Sequence, residues 1–152
     1  MSDAFERLRG LPALAWDFDE TLVGHKASSA MQRFIAETPH IAHSIVTFRA
    51  LGSQAQIWED LAAETDLLAK GHFRHVVNID DNLAMLVQRL RRHRQARLFA
   101  GPEGPAERAY RHWKGMVCAR IGALALIDDR TEDVAPGCDA FGIIHLHPDQ
   151  FL

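Results

Sequence analysis

Short apolar runs recur along the chain, several ending on a polar residue, and longer amphipathic stretches separate them. Leu14 to Trp16 ends at Asp17, Ser44 to Val46 at Thr47, and Leu124 to Ile127 at Asp128. Val76 to Ile79 and Gly142 to Ile144 are of the same kind, and Arg97 to Ala100 is a weaker sixth. Runs this short and this apolar suit strands buried on both faces of a sheet. Between them, Ile57, Trp58, Leu61 and Leu68 share a helical face after Ser53, a candidate N-cap. Leu83, Leu86, Val87 and Leu90 follow Asp80 and Asp81 in the same way, and Ala106, Tyr110, Trp113, Val117 and Ile121 follow Pro105, a good first-turn residue. Another helix is expected near Ala30 to Glu37. Strand alternating with helix predicts an α/β domain with a mainly parallel central sheet flanked by helices.

At 152 residues and 17.0 kDa there is room for one such domain, taken as a single unit over 1–152. A chain of this length buries roughly 70% of its unfolded surface, so it folds without disulfides or a structural metal. The net charge of −3 gives no bulk basicity to attract nucleic acid. Cys118 and Cys138 fit neither a disulfide framework nor a CxxC metal pair, which makes a reducing, cytoplasmic compartment the expectation. The opening MSDAFERLRGLP lacks the apolar core of a signal peptide, and no apolar run approaches a membrane span.

Ligands of open parallel sheets bind outside the C-terminal ends of the strands, so the residues ending the apolar runs matter most. The first run leads into Asp17-Phe18-Asp19-Glu20-Thr21, where two carboxylates two residues apart can lean into one crevice. An acidic turn capping the next helix is the plain alternative. Thr47 ends the second run shortly before a helix start, a ready anion site. Asp128 and Asp129 end the fourth; adjacent carboxylates there repel unless a cation neutralises them, and oxygen donors suit a hard divalent ion such as Mg2+. The plain alternative is a capping cluster for a helical turn after Thr131. Lys114 lies on the helix leading into that strand, with Lys70 as its rival.

The order Asp-x-Asp-x-Thr, strand-terminal Thr, Lys and Asp-Asp, in the segments LAWDFDETLV, HSIVTFR, KGMVCARIG and ALALIDDRTEDV, resembles the haloacid dehalogenase-like (HAD) superfamily. The resemblance implies a three-layer Rossmann-like fold and a Mg2+-dependent phosphomonoester hydrolase working through an aspartyl-phosphate. It implies Asp17 as nucleophile, Asp19 as general acid and base, Thr47 as a phosphoryl-binding hydroxyl and Lys114 as the cation joining it to the acidic cluster. Asp17, Asp19 (through its backbone carbonyl), Asp128 and Asp129 are the implied metal ligands. Glu20 departs from the family's commonest residue there, glycine, which bears on the flap conformation. A general acid at Asp19 argues against a dehalogenase, because halide leaving groups need no proton.

Thirty residues separate Asp17 from Thr47, enough for a flap at about 20–28 and one helix. The 67 residues from Thr47 to Lys114 are mostly consumed by two helices and a strand or two, leaving no large cap domain. An open mouth suits a phosphorylated small molecule, an accessible macromolecular phosphate, or partial closure by a second copy in a homo-oligomer. A phosphoacceptor signalling domain or a phosphate-binding module without turnover is the competing function; receiver domains, however, place their acidic pair early and their lysine last. Arg49 is a candidate substrate clamp beside Thr47, with a surface ion pair as its alternative. Arg89, Arg91, Arg92, Arg94 and Arg97 read as the solvated end of a helix, and His145 with His147 as a metal pair lacking partners.

Overall fold

The structure, a computed structural model, describes residues 2–50, 52, 54–97 and 104–152. The first half runs α1 (Asp3–Arg9), β1 (Ala13–Trp16), α2 (Ser28–Glu37), β2 (Ala42–Ala50), α3 (Gln54–Glu64) and β3 (Phe73–Ile79). The second runs α4 (Asp81–Arg97), α5 (Pro105–Ile121), β4 (Ala125–Ile127), α6 (Thr131–Phe141) and β5 (Ile144–Leu146), with a closing 3-10 turn, Pro148–Phe151. The five strands form one all-parallel sheet in the order β3-β2-β1-β4-β5.

Two apolar cores, one on each face, explain why the strands read as unbroken apolar runs. Leu14 and Trp16 of β1 enter the core shared with α1, α2 and α3, whereas Ala15 enters the one shared with α4, α5 and α6. Ile45 and Val46 of β2 divide likewise, as do Ile127 and Leu126 of β4. This period of two, buried on both sides, makes the Rossmann-like α/β fold expected from the sequence.

Several elements depart from the expected bounds. The expected strand Gly142 to Ile144 begins only at Ile144, because Gly142 (φ 68°) ends α6 and the Ile143 N–H returns to the Cys138 carbonyl at 2.8 Å. Gly122 (φ 77°) ends α5 in the same way, with Ala123 donating to Cys118, so β4 starts after Leu124. Both are αL helix ends that only glycine adopts without strain. α6 is a full helix rather than a turn, and α1 is an element the apolar pattern did not announce. The α4 cap is as expected: Asp80 Oδ1 accepts from the N–H groups of Asn82 (2.9 Å) and Leu83 (3.1 Å). Ser53 and all but the first residue of the weak run Arg97 to Ala100 lie outside the described residues.

Two features aim the chain ends at one place. The strand order reverses between β1 and β4, the point where α/β sheets open a crevice. On that side α5 and α6 meet backbone to backbone: a Cβ on Gly115 would collide with the carbonyl group of Gly137. Only glycine allows that approach, and it sets the residue before Gly115 under the end of β4.

Candidate active site

Asp17 directly extends β1, its N–H donating to the Ile127 carbonyl at 2.8 Å, and Asp128 extends β4, donating to Leu146 at 3.1 Å. The sheet itself therefore fixes the two carboxylates side by side. Lys114 joins them: Nζ lies 2.7 Å from Asp17 Oδ1 and 2.6 Å from Asp128 Oδ2, with no side-chain exposure. The ammonium also sits 4.3 Å from the centroid of the Phe48 ring, a cation–π contact in a dry setting. The rival Lys70 is exposed in a 3-10 turn.

Both carboxylate oxygens of Asp128 are held. Its Oδ1 accepts from the Arg130 N–H at 2.8 Å, and its carbonyl accepts from His145 Nε2 at 3.0 Å. That contact, rather than a pairing with His147, is where His145 goes; His147 turns to Asp149. Asp129 completes a set in which Asp17, Asp128 and Asp129 each offer an oxygen within 4.8 Å of the others. Three carboxylates against one ammonium leave the centre short of positive charge. Burial pushes the Asp17 carboxyl up to about 7, with Lys114 pulling it down and Asp128 pushing it up. Burial also works against the Lys114 charge, but Asp128 and Asp17 outweigh it and hold the ammonium above its ordinary range. An all-oxygen donor set with excess negative charge fits a hard divalent cation.

The mouth is a cavity of about 270 Å³ lined by Asp17, Asp19, Glu20, Thr47, Phe48, Arg49, Asp129 and Arg130. Thr47 is buried at the end of the regular pairing of β2 with β3, where the register slips between Thr47 and Ala50. Such bulges re-aim side chains, here those of Phe48 and Arg49. Phe48 stacks on Tyr110 at 4.3 Å, and Tyr110 Oη accepts from Arg130 Nη1 at 3.3 Å.

Asp19 does not join the three convergent carboxylates. Its oxygens, at 52% side-chain exposure, accept from Arg49 Nε (2.8 Å) and Nη2 (2.7 Å). The Arg49 cation is thus its near neighbour, although Asp19 and Asp17 line the same cavity.

The flap follows at Glu20. Glu20 holds φ 57°, an αL conformation that a non-glycine residue adopts at a cost of roughly 1–2 kcal/mol. The segment is tied down: the Gly24 N–H donates to Glu64 Oε1 at 2.9 Å, His25 Nε2 lies 2.9 Å from Asp149 Oδ1, and Ser28 Oγ donates to the Thr21 carbonyl at 2.6 Å. The residues that sequence reasoning passed over are mostly such supports. Asp60 and Glu64 lie on α3, where they read as an ordinary solvent face. Arg91, counted among solvated arginines, instead bridges Glu107 (2.6 Å) and Asp133 (2.8 Å) and so ties α4 to α5 and α6.

No family model and no curated protein matches the chain. Among solved structures it is similar to an uncharacterized protein from Corynebacterium glutamicum ATCC 13032 Kitasato. The two are 19% identical, the match covers 91% of this chain and 85% of that one, and the TM-score is 0.47. No helix among the described residues is long and apolar enough to cross a membrane.

Proposed function

We propose that the chain is a HAD-like phosphatase, hydrolysing phosphomonoesters through a phosphorylated Asp17. The observation that carries this reading is the convergence of Asp17, Lys114 and Asp128 at the reversal of the sheet, with Asp129 beside them. Asp17 is fixed by the strand it ends and needs no rearrangement to face the cavity. It attacks phosphorus in line with the leaving oxygen; the Asp17–phosphorus bond forms as the ester bond breaks, and Asp19 protonates the departing alcohol. Asp19 then takes a proton from the water that frees phosphate and regenerates Asp17. Lys114 stays charged throughout and offsets the negative charge gathered at the phosphoryl oxygens. Thr47 lies on the cavity wall, where its hydroxyl or the bulged backbone after it can meet those oxygens. Asp17, Asp128 and Asp129 would hold Mg2+, which when bound supplies further positive charge to the phosphoryl group.

The test is turnover of p-nitrophenyl phosphate with and without Mg2+, beside Asp17→Asn. Wild-type turnover that the substitution abolishes, with circular dichroism unchanged, is the expected result. Equal turnover by both proteins would overturn the reading. A stable phosphoryl-Asp17 without release of phosphate would instead make the chain a phosphoacceptor.

A further inference from the structure

We infer that Asp60 and Arg49 act as positioning residues for the acid–base carboxylate of Asp19, so that Arg49 serves this carboxylate rather than the substrate. The inference rests on the phosphatase reading above.

Arg49 is held at every level. Its N–H donates to Thr47 Oγ1 at 3.1 Å and its carbonyl accepts from Asn78 Nδ2 at 3.2 Å, which fixes the bulged backbone. Its guanidinium lies 4.8 Å from the centroid of the fully buried Phe18 ring. Nε and Nη2 engage both oxygens of Asp19, and Nη2 reaches Asp60 Oδ2 as well, at 2.8 Å. The other oxygen of Asp60 accepts from Gln56 Nε2, one turn earlier on α3, at 2.8 Å. A line of contacts thus runs from a helix surface through Asp60 and Arg49 to Asp19.

Asp19 lies past the end of β1, on an irregular segment and half exposed, where a carboxylate samples several rotamers unless something holds it. A planar guanidinium gripping both oxygens fixes the plane as well as the place of the group, which a lysine cannot do. Proton transfer requires the acid within hydrogen-bond reach of the leaving oxygen, so this grip bears directly on the rate. The same contacts commit three of the five guanidinium N–H donors to Asp19 and Asp60.

Leaving-group dependence separates the roles. An alkyl phosphate such as glycerol phosphate needs a proton on its leaving oxygen, whereas 2,4-dinitrophenyl phosphate hardly does. Because Asp19 also serves the hydrolysis of the phosphoryl-enzyme, which both esters share, the readout is kcat/KM, which reports the first step alone. Arg49→Met is expected to lower kcat/KM for the alkyl phosphate by about 100-fold, at the lower end of what general acid catalysis supplies, and for the dinitrophenyl ester by less than about 10-fold. Asp60→Asn, away from the reacting atoms, should show the same selectivity at smaller size, and Arg49→Lys should not restore the alkyl value. A rise in KM for both esters with kcat intact would overturn the proposal in favour of a clamp. Equal losses of kcat/KM on both esters, or none, would overturn it too. A wild type inert towards both esters would remove the phosphatase reading and the positioning role together. Wild-type turnover that depends on Asp17, without leaving-group selectivity in either variant, would remove the positioning role alone.

Discussion

Lys114 is the residue on which the centre depends most, since it is the one ammonium set between two buried carboxylates. Lys114→Met leaves Asp17 and Asp128 facing each other in a dry site, and breaking such a pair from one side costs about 3–5 kcal/mol. Urea unfolding in EDTA should show that loss, and added Mg2+ should recover part of it. His43 offers a cleaner pH effect, remote from the centre. Trp16 Nε1 donates to its Nδ1 at 3.1 Å, so the ring proton sits on Nε2, facing Thr38 Oγ1 at 2.9 Å. A second proton finds no acceptor, and burial holds the imidazole down to about 4. Below the ordinary value of about 6.5 the unfolded chain takes a proton that the folded one refuses until about 4. Stability attributable to His43 is therefore whole above pH 6.5 and falls by up to about 1.4 kcal/mol per unit down to 4. Urea unfolding at pH 7 and 4.5 should show a smaller acid loss in His43→Gln than in the wild type. Of the candidate site, the carboxylates and Lys114 were legible because strand ends and their order expose them. Asp60 was not: a carboxylate on the polar face of a helix looks the same whether water or an arginine meets it.

Among the elements, α5 and α6 cross where their sequences give least warning. Lys114 precedes Gly115, and Gly137 sits mid-helix, where glycine ordinarily weakens a helix by about 1 kcal/mol relative to alanine. Their contact reverses that preference. Gly115→Ala places a methyl against the Gly137 backbone and should destabilise by roughly 1–3 kcal/mol, with a loss of turnover greater than the stability loss explains. Gly10→Ala, which meets nothing within 4 Å, is the control; thermal melts and turnover on the same samples decide. The strands and long helices were legible because burial on two faces and on one face write different periods. The exact starts of β4 and β5 were not, since Ala123 and Ile143 are apolar residues used to close helix ends. Nor was the bulge at Phe48 and Arg49, because a slip in register leaves no mark on hydrophobicity.

The whole molecule links the site to its stability. A cation held by Asp17, Asp128 and Asp129 binds only where β1 and β4 are paired, so Mg2+ should raise the melting temperature. At about 100 times its dissociation constant the gain is about 2.7 kcal/mol. Asp129→Asn, at the more exposed of the three positions, should fold normally and lose most of the Mg2+-dependent shift in scanning calorimetry. Asp17 and Lys114 meet across 97 residues of chain. Loop-closure entropy makes such a contact late as well as slow, because the early-encoded strands can pair before α5 and β4 arrive. During synthesis Asp17 therefore waits without Lys114, and a half-made chain holds one carboxylate of the cluster without its ammonium or the two carboxylates that complete it.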